Sequence, residues 1–301
     1  MLDYAALSAL AAVVREGSFE RAARALHVTP SAVSQRIRQL EERVGCALVV
    51  RGQPCHATEV GQRLCRHVDQ VRLMEHELRE VLPVAAVDPL APRLRRVTLP
   101  VAVNADSLAT WFAPAAARFA AEAPVLLEVA VDDQDHTAER LRSGAVLAAV
   151  TAMAAPAAGC NSRPLGAMRY VATASPAFVA RHFSADGVNA RTLAEAPSLI
   201  FDRKDQLQAR WVRRQCRRAV ELPRHALPST QAFIEASLAG MGWGMQPEAL
   251  VRPLLDSGAL VELVSGATLD VRLYWQHARA ASSLLEGLTS AVLAGARAAL
   301  H

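Results

Sequence analysis

A short stretch near the N terminus places hydrogen-bonding side chains on one side of a helical pattern. They are Ser31, Ser34, Gln35, Arg36 and Arg38. The opposite side of the same pattern is the apolar stripe of Val33, Ile37 and Leu40. Glutamine can bond adenine through two atoms, and arginine can bond guanine or a phosphate. This surface chemistry fits a helix placed against base edges in a DNA major groove.

The residues around this stretch add phosphate-binding and capping groups. Thr29 is a good N-cap, Pro30 suits the first helical position, and the free N–H groups of such a terminus bind phosphate. Between residues 18 and 40 there are four arginines (21, 24, 36 and 38) and one acid, Glu20. Arg51 and His56 flank a predicted hairpin turn, and we expect this turn to form a wing on the DNA backbone.

Three predicted helices position the polar surface. The first ends at Gly17, the second runs over 19–26 behind the cap Ser18, and the third runs from Pro30 to Val44. The second and third are joined by a tight turn, which is a helix-turn-helix pattern. The alternative is an ordinary helical bundle with solvated arginines.

A long helix is predicted from about 59 to 82, after a cap at Thr58. Its apolar residues Leu64, Val68, Val71 and Leu78 alternate by four and three, the spacing of a coiled-coil seam. We expect this seam to hold two subunits together; the alternative is a helix packed on its own domain. A proline-containing linker follows over 83–92.

From about residue 95 the pattern changes to alternating strands and helices. Predicted strands cover 97–103, 125–131, 146–150, 170–174, 198–201, 242–245 and 271–275, and a helix over 282–299 closes the chain. Strands separated by helices predict parallel sheets. Polar residues follow several strand ends: Asp106 and Ser107 as possible helix caps, then Asp132, Asp202 and the helix-opening Thr230. Each has a plain alternative: a cap, a solvated acid, or for Asp202 an ion pair with an arginine.

Two segments resemble the N-terminal signature of the LysR-type transcriptional regulators. They are SFERAARALHVTPSAVSQRIRQLEERVG at 18–45 and LVVRGQPCHATEVGQRL, which spans the predicted wing and the start of the long helix. The resemblance implies that Thr29, Ser31, Ser34, Gln35, Arg36 and Arg51 meet double-stranded DNA. It also implies a homodimer or homotetramer on a pseudo-palindromic operator.

The resemblance also implies the fold class: an N-terminal all-α winged helix-turn-helix, followed by an α/β effector domain of two lobes similar to periplasmic solute-binding proteins. The expected domains are 1–58 for DNA binding, 59–92 for dimerisation and hinge, and 93–301 for the effector. Within the last, lobe I covers about 93–171 and 271–301, and lobe II about 172–270. Ligands in such folds sit in a cleft beyond the strand ends.

The runs AVNADSLATW, VDDQDHTAERLRSG and PLGAMRY are similar to the LysG/ArgP branch, which controls export of basic amino acids. Lysine or arginine is then the expected effector, since helix N-termini suit its carboxylate and acidic side chains its amines. This resemblance marks the effector positions Asn104, Asp106, Ser107, Asp132, Thr151 and Asp202. Thr230 joins them from its own position at a helix start.

Composition excludes several other classes. The chain has 301 residues, 52% hydrophobic and 21% charged, with a net charge of +4, as expected for a globular protein of two or three domains. No apolar run is long enough for a membrane span, and no signal peptide is apparent, so a cytoplasmic location is expected. The five cysteines show no paired spacing and are expected to be reduced thiols, although roles for Cys55 and Cys160 stay open.

We expect neither an enzyme nor a metal or other cofactor, because no catalytic, nucleotide-binding or metal-ligand motif occurs. Two functional alternatives remain: a regulator of the same family with another effector, and a ligand-independent DNA binder that inhibits replication initiation. The sequence leaves open the operator, the choice between lysine and arginine, activation against repression, and dimer against tetramer.

Overall fold

The computed structural model describes residues 3–81, 97–123, 125–131 and 134–301; the side chains at 70, 73, 76–81 and 134–136 are outside this description. The chain divides into two compact units. The first contains the N-terminal helices and a small hairpin. The second is formed by Thr98–Arg142, Val146–Ala280 and Leu285–His301.

Capping residues set the helices of the first unit. These helices are α1 (Tyr4–Glu16), α2 (Phe19–Ala25), α3 (Pro30–Val44) and α4 (Glu59–Val81). Asp3, Ser18 and Thr29 each accept a backbone N–H at the start of α1, α2 and α3. Gly17 and Gly45 end α1 and α3 in the left-handed conformation, with φ of 65° and 82°.

A two-stranded antiparallel hairpin, β1 (Val49–Val50) and β2 (His56–Ala57), forms the wing. Its base is fixed by Glu41 of α3, whose Oε1 accepts the N–H of Leu48 at 2.8 Å and that of Val49 at 3.3 Å. Its tip is fixed by the N–H of Cys55, which donates to Gly17 O at 2.9 Å. The wing is therefore hydrogen-bonded to α3 at its base and to the end of α1 at its tip.

The second unit is built on a seven-stranded sheet with the order β10-β6-β11-β5-β3-β4, to which β9 adds beside β6. Its strands are β3 (Val97–Val103), β4 (Val125–Val131), β5 (Ala148–Thr151), β6 (Cys160–Ala174), β9 (Gly244–Pro247), β10 (Val261–Glu262) and β11 (Leu269–Ala278). A separate parallel pair is β7 (Ser198–Ile200) with β8 (Arg224–Ala226).

The helices of the second unit flank these strands. They are α5 (Ala105–Ser107), α6 (Ala113–Glu122), α7 (Gln134–Arg142), α8 (Pro176–His182), α9 (Ala190–Glu195), α10 (Leu207–Cys216), α11 (Thr230–Leu238), α12 (Glu248–Asp256) and α13 (Glu286–Ala299). A π-helical turn, Leu108–Phe112, joins α5 to α6. The buried tryptophans Trp211, Trp243 and Trp275 are among the largest core side chains of the second unit.

The prediction of parallel sheets is wrong for most of this unit. β3 and β5 pair in parallel, but β11 pairs antiparallel with both β5 and β6, and β9 and β10 pair antiparallel with β6. The antiparallel pairing was not predicted because Pro164 and Gly166 interrupt the first half of β6, and both residues normally mark the end of a strand. The pairing with β11 continues past them through a register shift, in which Leu273 faces Gly166 and Tyr274 faces Pro164.

Helix ends were also mispredicted at one position that matters for the site. The cap residue of α5 is Asn104, not Asp106 or Ser107, and the Asn104 side chain makes no capping bond. Asp106 and Ser107 lie inside the first turn. Among the described helices, none combines the length and apolar character that a membrane crossing requires.

Candidate functional site

The exposed face of α3 carries the predicted DNA-contacting residues. Thr29 Oγ1 accepts the N–H of Ala32 at 3.2 Å and lies 3.0 Å from Ser31 Oγ. Ser31, Gln35 and Arg38 are exposed, while Ser34 and Arg36 are half-buried. The stripe of Val33, Ile37 and Leu40 is at most 1% exposed and belongs to the core of the first unit. The polar face is thus held outward by burial of the opposite face.

Two arginines near this face have defined positions. Arg51 directly follows β1, in the turn of the wing, with its guanidinium carbon 5.3 Å from the centre of the Phe19 ring. Arg21, in contrast, donates from Nε to Glu16 O at 2.7 Å and so satisfies the C-terminal end of α1. Of the four arginines between residues 18 and 40, Arg21 therefore forms a hydrogen bond within the protein that stabilises the end of α1.

The predicted dimerisation seam lies partly in the chain's own core. Val68 is 3% exposed and, with Leu64, belongs to the hydrophobic core of the first unit. Val71 is half-buried, and the side chain of Leu78 lies outside the description. The structure thus gives Leu64 and Val68 an intramolecular role, the alternative that the sequence had left open.

A half-buried carboxylate, that of Asp106, is the chemical centre of the second unit. Asp106 Oδ2 accepts a hydrogen bond from the Tyr170 hydroxyl at 2.8 Å, and Oδ1 accepts one from Thr230 Oγ1 at 3.0 Å. These partners come from β6 and from the first residue of α11. One side chain of α5 therefore links three elements that are far apart in the sequence.

Burial governs the electrostatics of this carboxylate. It raises the pKa of Asp106 above the usual aspartate range, and the bonds from Tyr170 and Thr230 only partly oppose that rise. The nearby charge of Asp205 adds to it. The pKa of Tyr170 is also raised, first by burial and then by the charge of Asp106, so its hydroxyl stays a donor. A cation in this position would relieve the cost of the buried negative charge.

Asp106 faces a cleft of about 860 Å³, which is within the range of about 300–1,000 Å³ found for small-molecule sites. The polar residues that line it are Asn104, Asp106, Tyr170, Asp202, Arg203, Lys204, Asp205, Gln206, Arg210, Thr230 and Gln246. Apolar side chains from Val131, Phe201, Phe233, Ile234 and Met245 complete the wall. The cleft can hold a small ligand with both cationic and anionic ends.

Asp202 and Asp205 shape the loop on one side of the cleft. Asp202 Oδ1 accepts the N–H of Lys204 at 2.8 Å and that of Asp205 at 3.1 Å. Asp205 in turn accepts the N–H of Phe201 at 3.0 Å and that of Leu207 at 2.9 Å. These turns present both acids to the cleft while their hydrogen bonds fix the backbone.

Four of the seven predicted effector residues line the cleft: Asn104, Asp106, Asp202 and Thr230. Ser107 is fully buried and is not among the lining residues. Thr151 is 3% exposed, lies in β5, and accepts the N–H of Met153 at 3.1 Å, so it also has no surface in the cleft. Asp132 lies outside the described residues.

Sequence reasoning missed the other seven polar residues of the cleft, which are Tyr170, Arg203, Lys204, Asp205, Gln206, Arg210 and Gln246. Tyr170 is only 3% exposed, but its hydroxyl reaches Asp106. The signal available was position alone, since Tyr170 and Gln246 lie on neighbouring strands where Val171 pairs with Gln246. That pairing was not visible while the sheet was taken as parallel.

The remaining candidate groups have plain roles. Cys46, Cys55, Cys65, Cys160 and Cys216 are all free thiols. Burial raises the pKa of the Cys65 thiol to about 11, which leaves it protonated and unreactive near neutral pH. Within the described residues no group of histidine, cysteine, aspartate and glutamate side chains has the arrangement of a metal site.

A winged helix-turn-helix with an outward polar face, joined to a two-lobed α/β domain with a polar cleft, defines the class of ligand-responsive DNA-binding regulators. Comparison with known proteins supports this. Residues 4–62 match the family described as bacterial regulatory helix-turn-helix protein, lysR family, and residues 92–297 match the LysR substrate binding domain.

Individual relatives extend over nearly the whole chain. The HTH-type transcriptional regulator ArgP of Pseudomonas fluorescens (strain Pf0-1) is 47% identical over 291 residues, 96% of this chain and 95% of its own. The crystal structure of ArgP from Mycobacterium tuberculosis is 45% identical, with a TM-score of 0.80 over 100% of this chain and 99% of that one. Full-length LysG from Corynebacterium glutamicum with bound effector Arg is 36% identical, with a TM-score of 0.69 over 100% of both chains.

The chain therefore belongs to the LysR family of transcriptional regulators and is of the ArgP/LysG type. This confirms the predicted family and fold class, and it identifies a regulator rather than an enzyme.

Proposed function

We propose that this regulator senses a basic amino acid, arginine or lysine, in the cleft around Asp106 and controls a gene for an amino acid exporter. The observation that carries the proposal is the carboxylate of Asp106. Asp106 is half-buried, desolvation raises the pKa of its carboxyl group, and the bonds it accepts come from two uncharged hydroxyls, those of Tyr170 and Thr230. A buried charge is stabilised by an opposite charge, and the ligand best suited to supply one is cationic.

The two ends of such a ligand have different requirements. The amine or guanidinium needs acceptors, and Asp106 and Asn104 offer them in the cleft. The α-carboxylate needs donors, and Arg203 and Arg210 line the same cleft. Bound arginine in the related LysG supports the same chemistry here. Asp132 and Asp202 remain proposed effector residues.

DNA binding is assigned to the outward face of α3 and to the wing. Gln35, Arg36 and Arg38 are proposed to contact base edges and phosphates, and Arg51 to contact the backbone from the wing. Thr29, Ser31 and Ser34 are proposed to bind phosphate at the start of α3. We further propose a homodimer or homotetramer on a pseudo-palindromic operator, with subunits joined through the exposed part of α4, and a location in the cytoplasm where that DNA is found.

A mobility-shift and footprinting experiment on the DNA upstream of the protein's own gene tests this function. The purified protein is incubated with that duplex alone, then with arginine, lysine or, as an acidic control, glutamate. We expect one of the basic amino acids to change the affinity or the footprint, and glutamate to leave both unchanged. DNA binding without a response to either would instead favour another effector or a ligand-independent binder.

A further inference from the structure

A buried glutamine in the cleft wall carries an acceptor atom to which no described residue donates a hydrogen bond. Gln246 lies in β9, opposite Val171 of β6, and is 1% exposed. It lines the cleft that contains Asp106. Its Oε1 atom is buried and accepts no hydrogen bond from any group in the described part of the chain. A carbonyl oxygen left in this state costs free energy unless a donor reaches it.

The orientation of this amide is fixed from behind. Gln246 Nε2 donates to Thr173 Oγ1 at 2.9 Å and to Ser237 Oγ at 2.8 Å. Both hydroxyl residues are 0% exposed. A primary amide has two N–H donors, and both are used by these bonds. The carbonyl oxygen is therefore the atom of Gln246 that has no partner among the described residues, in a side chain that lines the cleft.

The neighbouring groups of the cleft match this polarity. Asn104 Oδ1 is a second buried acceptor for which the described residues supply no donor, and the Asp106 carboxylate is a third acceptor that is charged. A guanidinium group has five N–H donors and no acceptor, so it can serve several such oxygens at once. Asp106 alone would attract any cation. The carbonyl oxygen of Gln246, whose amide is held by Thr173 and Ser237, favours a cation that carries several N–H donors, such as a guanidinium group.

We propose that Gln246 is a specificity-determining residue whose carbonyl oxygen accepts a hydrogen bond from the cationic end of the effector. Thr173 and Ser237 are positioning residues that hold the amide in this orientation. The inference rests on the proposed function, because it takes the ligand to be a basic amino acid. It adds a neutral acceptor, on β9, to the charged one on α5.

Calorimetric titration of the full-length protein with arginine, lysine and the neutral isostere citrulline tests this inference. Gln246→Met keeps the shape but removes the acceptor, and a lost bond to a charged donor is expected to weaken arginine binding by about 10-fold to 100-fold. Gln246→Glu keeps an acceptor oxygen and adds negative charge, so arginine binding is expected to stay at least as tight as in the wild type. Citrulline is expected to bind poorly to all of them, since it replaces a donor by a carbonyl.

Gln208 provides a matched control, because it is equally buried at 1% exposed but does not line the cleft. Gln208→Met is expected to leave the arginine affinity unchanged. For the positioning role, Thr173→Val is expected to weaken arginine binding and Thr173→Ser to restore it, while a purely structural role would move the melting temperature and not the affinity. Circular dichroism identifies any variant that does not fold. If Gln246→Met does not fold, the arginine affinity of Gln246→Glu decides the role of Gln246.

The outcomes separate the two proposals. Wild-type protein that binds arginine while Gln246→Met binds it equally well overturns the role of Gln246 alone. Loss of arginine binding in a folded Gln246→Glu overturns it too, because the amide would then be donating to the ligand carboxylate. Wild-type protein that binds neither arginine nor lysine overturns the proposed function, and the Gln246 inference with it.

Discussion

Replacing Asp106 by asparagine removes one negative charge from the cleft but keeps the hydrogen bonds to that side chain. The asparagine oxygen can accept from one hydroxyl, and its amide can donate to the other, which rotates to receive it. The two partners, Tyr170 and Thr230, are hydroxyls and permit this exchange. The fold should therefore survive, and any change in ligand affinity reports the charge.

The expected effect on ligand binding is large. Truncating one partner of a buried hydrogen-bonded charge pair costs about 2–5 kcal/mol. For Asp106→Asn this corresponds to a dissociation constant for arginine raised about 30-fold or more. The ligand-free variant should also melt at a higher temperature than the wild type, because burial disfavours the charged carboxylate in the folded protein. Titration calorimetry measures the first effect and thermal melting the second.

The control is Glu235→Gln, which makes the same chemical change at an exposed position of α11. It should alter neither the arginine affinity nor the melting temperature of the ligand-bound protein. In the wild type, arginine at 100 times its dissociation constant should stabilise the fold by about 2.7 kcal/mol. If Asp106→Asn keeps the wild-type affinity and the same ligand-induced shift, the carboxylate has no part in recognising the effector.

Three further predictions concern DNA binding, pH and the wing. Gln35→Ala should weaken operator binding by about 1–3 kcal/mol. Arg36→Ala should lower the slope of log binding constant against log salt concentration by about one unit if Arg36 contacts a phosphate. DNA binding that stays unchanged in both variants across a salt series contradicts these roles. Because the pKa of Asp106 is raised, its carboxylate ionises only as pH rises through that raised value, so arginine affinity should increase with pH there and lose this dependence in Asp106→Asn. Gly61→Ala should lower the melting temperature of the first unit, because a Cβ there would overlap Leu48 O of the wing; an unchanged melting curve would show that the wing moves freely.

The first unit was predictable because its signals are local. The caps Ser18 and Thr29 act on backbone groups three residues away, and Gly17 and Gly45 end helices by their own conformation. The outward face of α3 follows from the helical repeat alone once its apolar stripe is recognised. What the repeat did not indicate is the bond from Glu41 to Leu48 at the start of the wing, since the two residues are seven positions apart and lie on either side of the end of α3.

The cleft was less predictable because its bonds join distant parts of the sequence. Asp106 reaches Tyr170 across 64 positions and Thr230 across 124, and Gln246 reaches Thr173 across 73. The family resemblance marked Asp106 correctly as a cleft residue, but the reason drawn from its position, a helix cap, was wrong. Only the antiparallel course of β6 beside β9 brings Tyr170 and Gln246 to the same wall.

The geometry of Asp106 also bears on how a ligand could act. A carboxylate offers about four acceptor sites, and Tyr170 and Thr230 occupy two. A cationic ligand can therefore bind the remaining sites without displacing either hydroxyl. Effector binding would then favour the arrangement in which α5, β6 and α11 are linked, since it neutralises the charge on which that linkage converges. A ligand shifts an equilibrium only by its difference in affinity for the two states. Under the proposed function, this difference in affinity comes from Asp106. When Thr230 is bonded to Asp106, the ligand meets a desolvated carboxylate; when Thr230 has moved away, water hydrates the carboxylate and its attraction for the ligand is weaker.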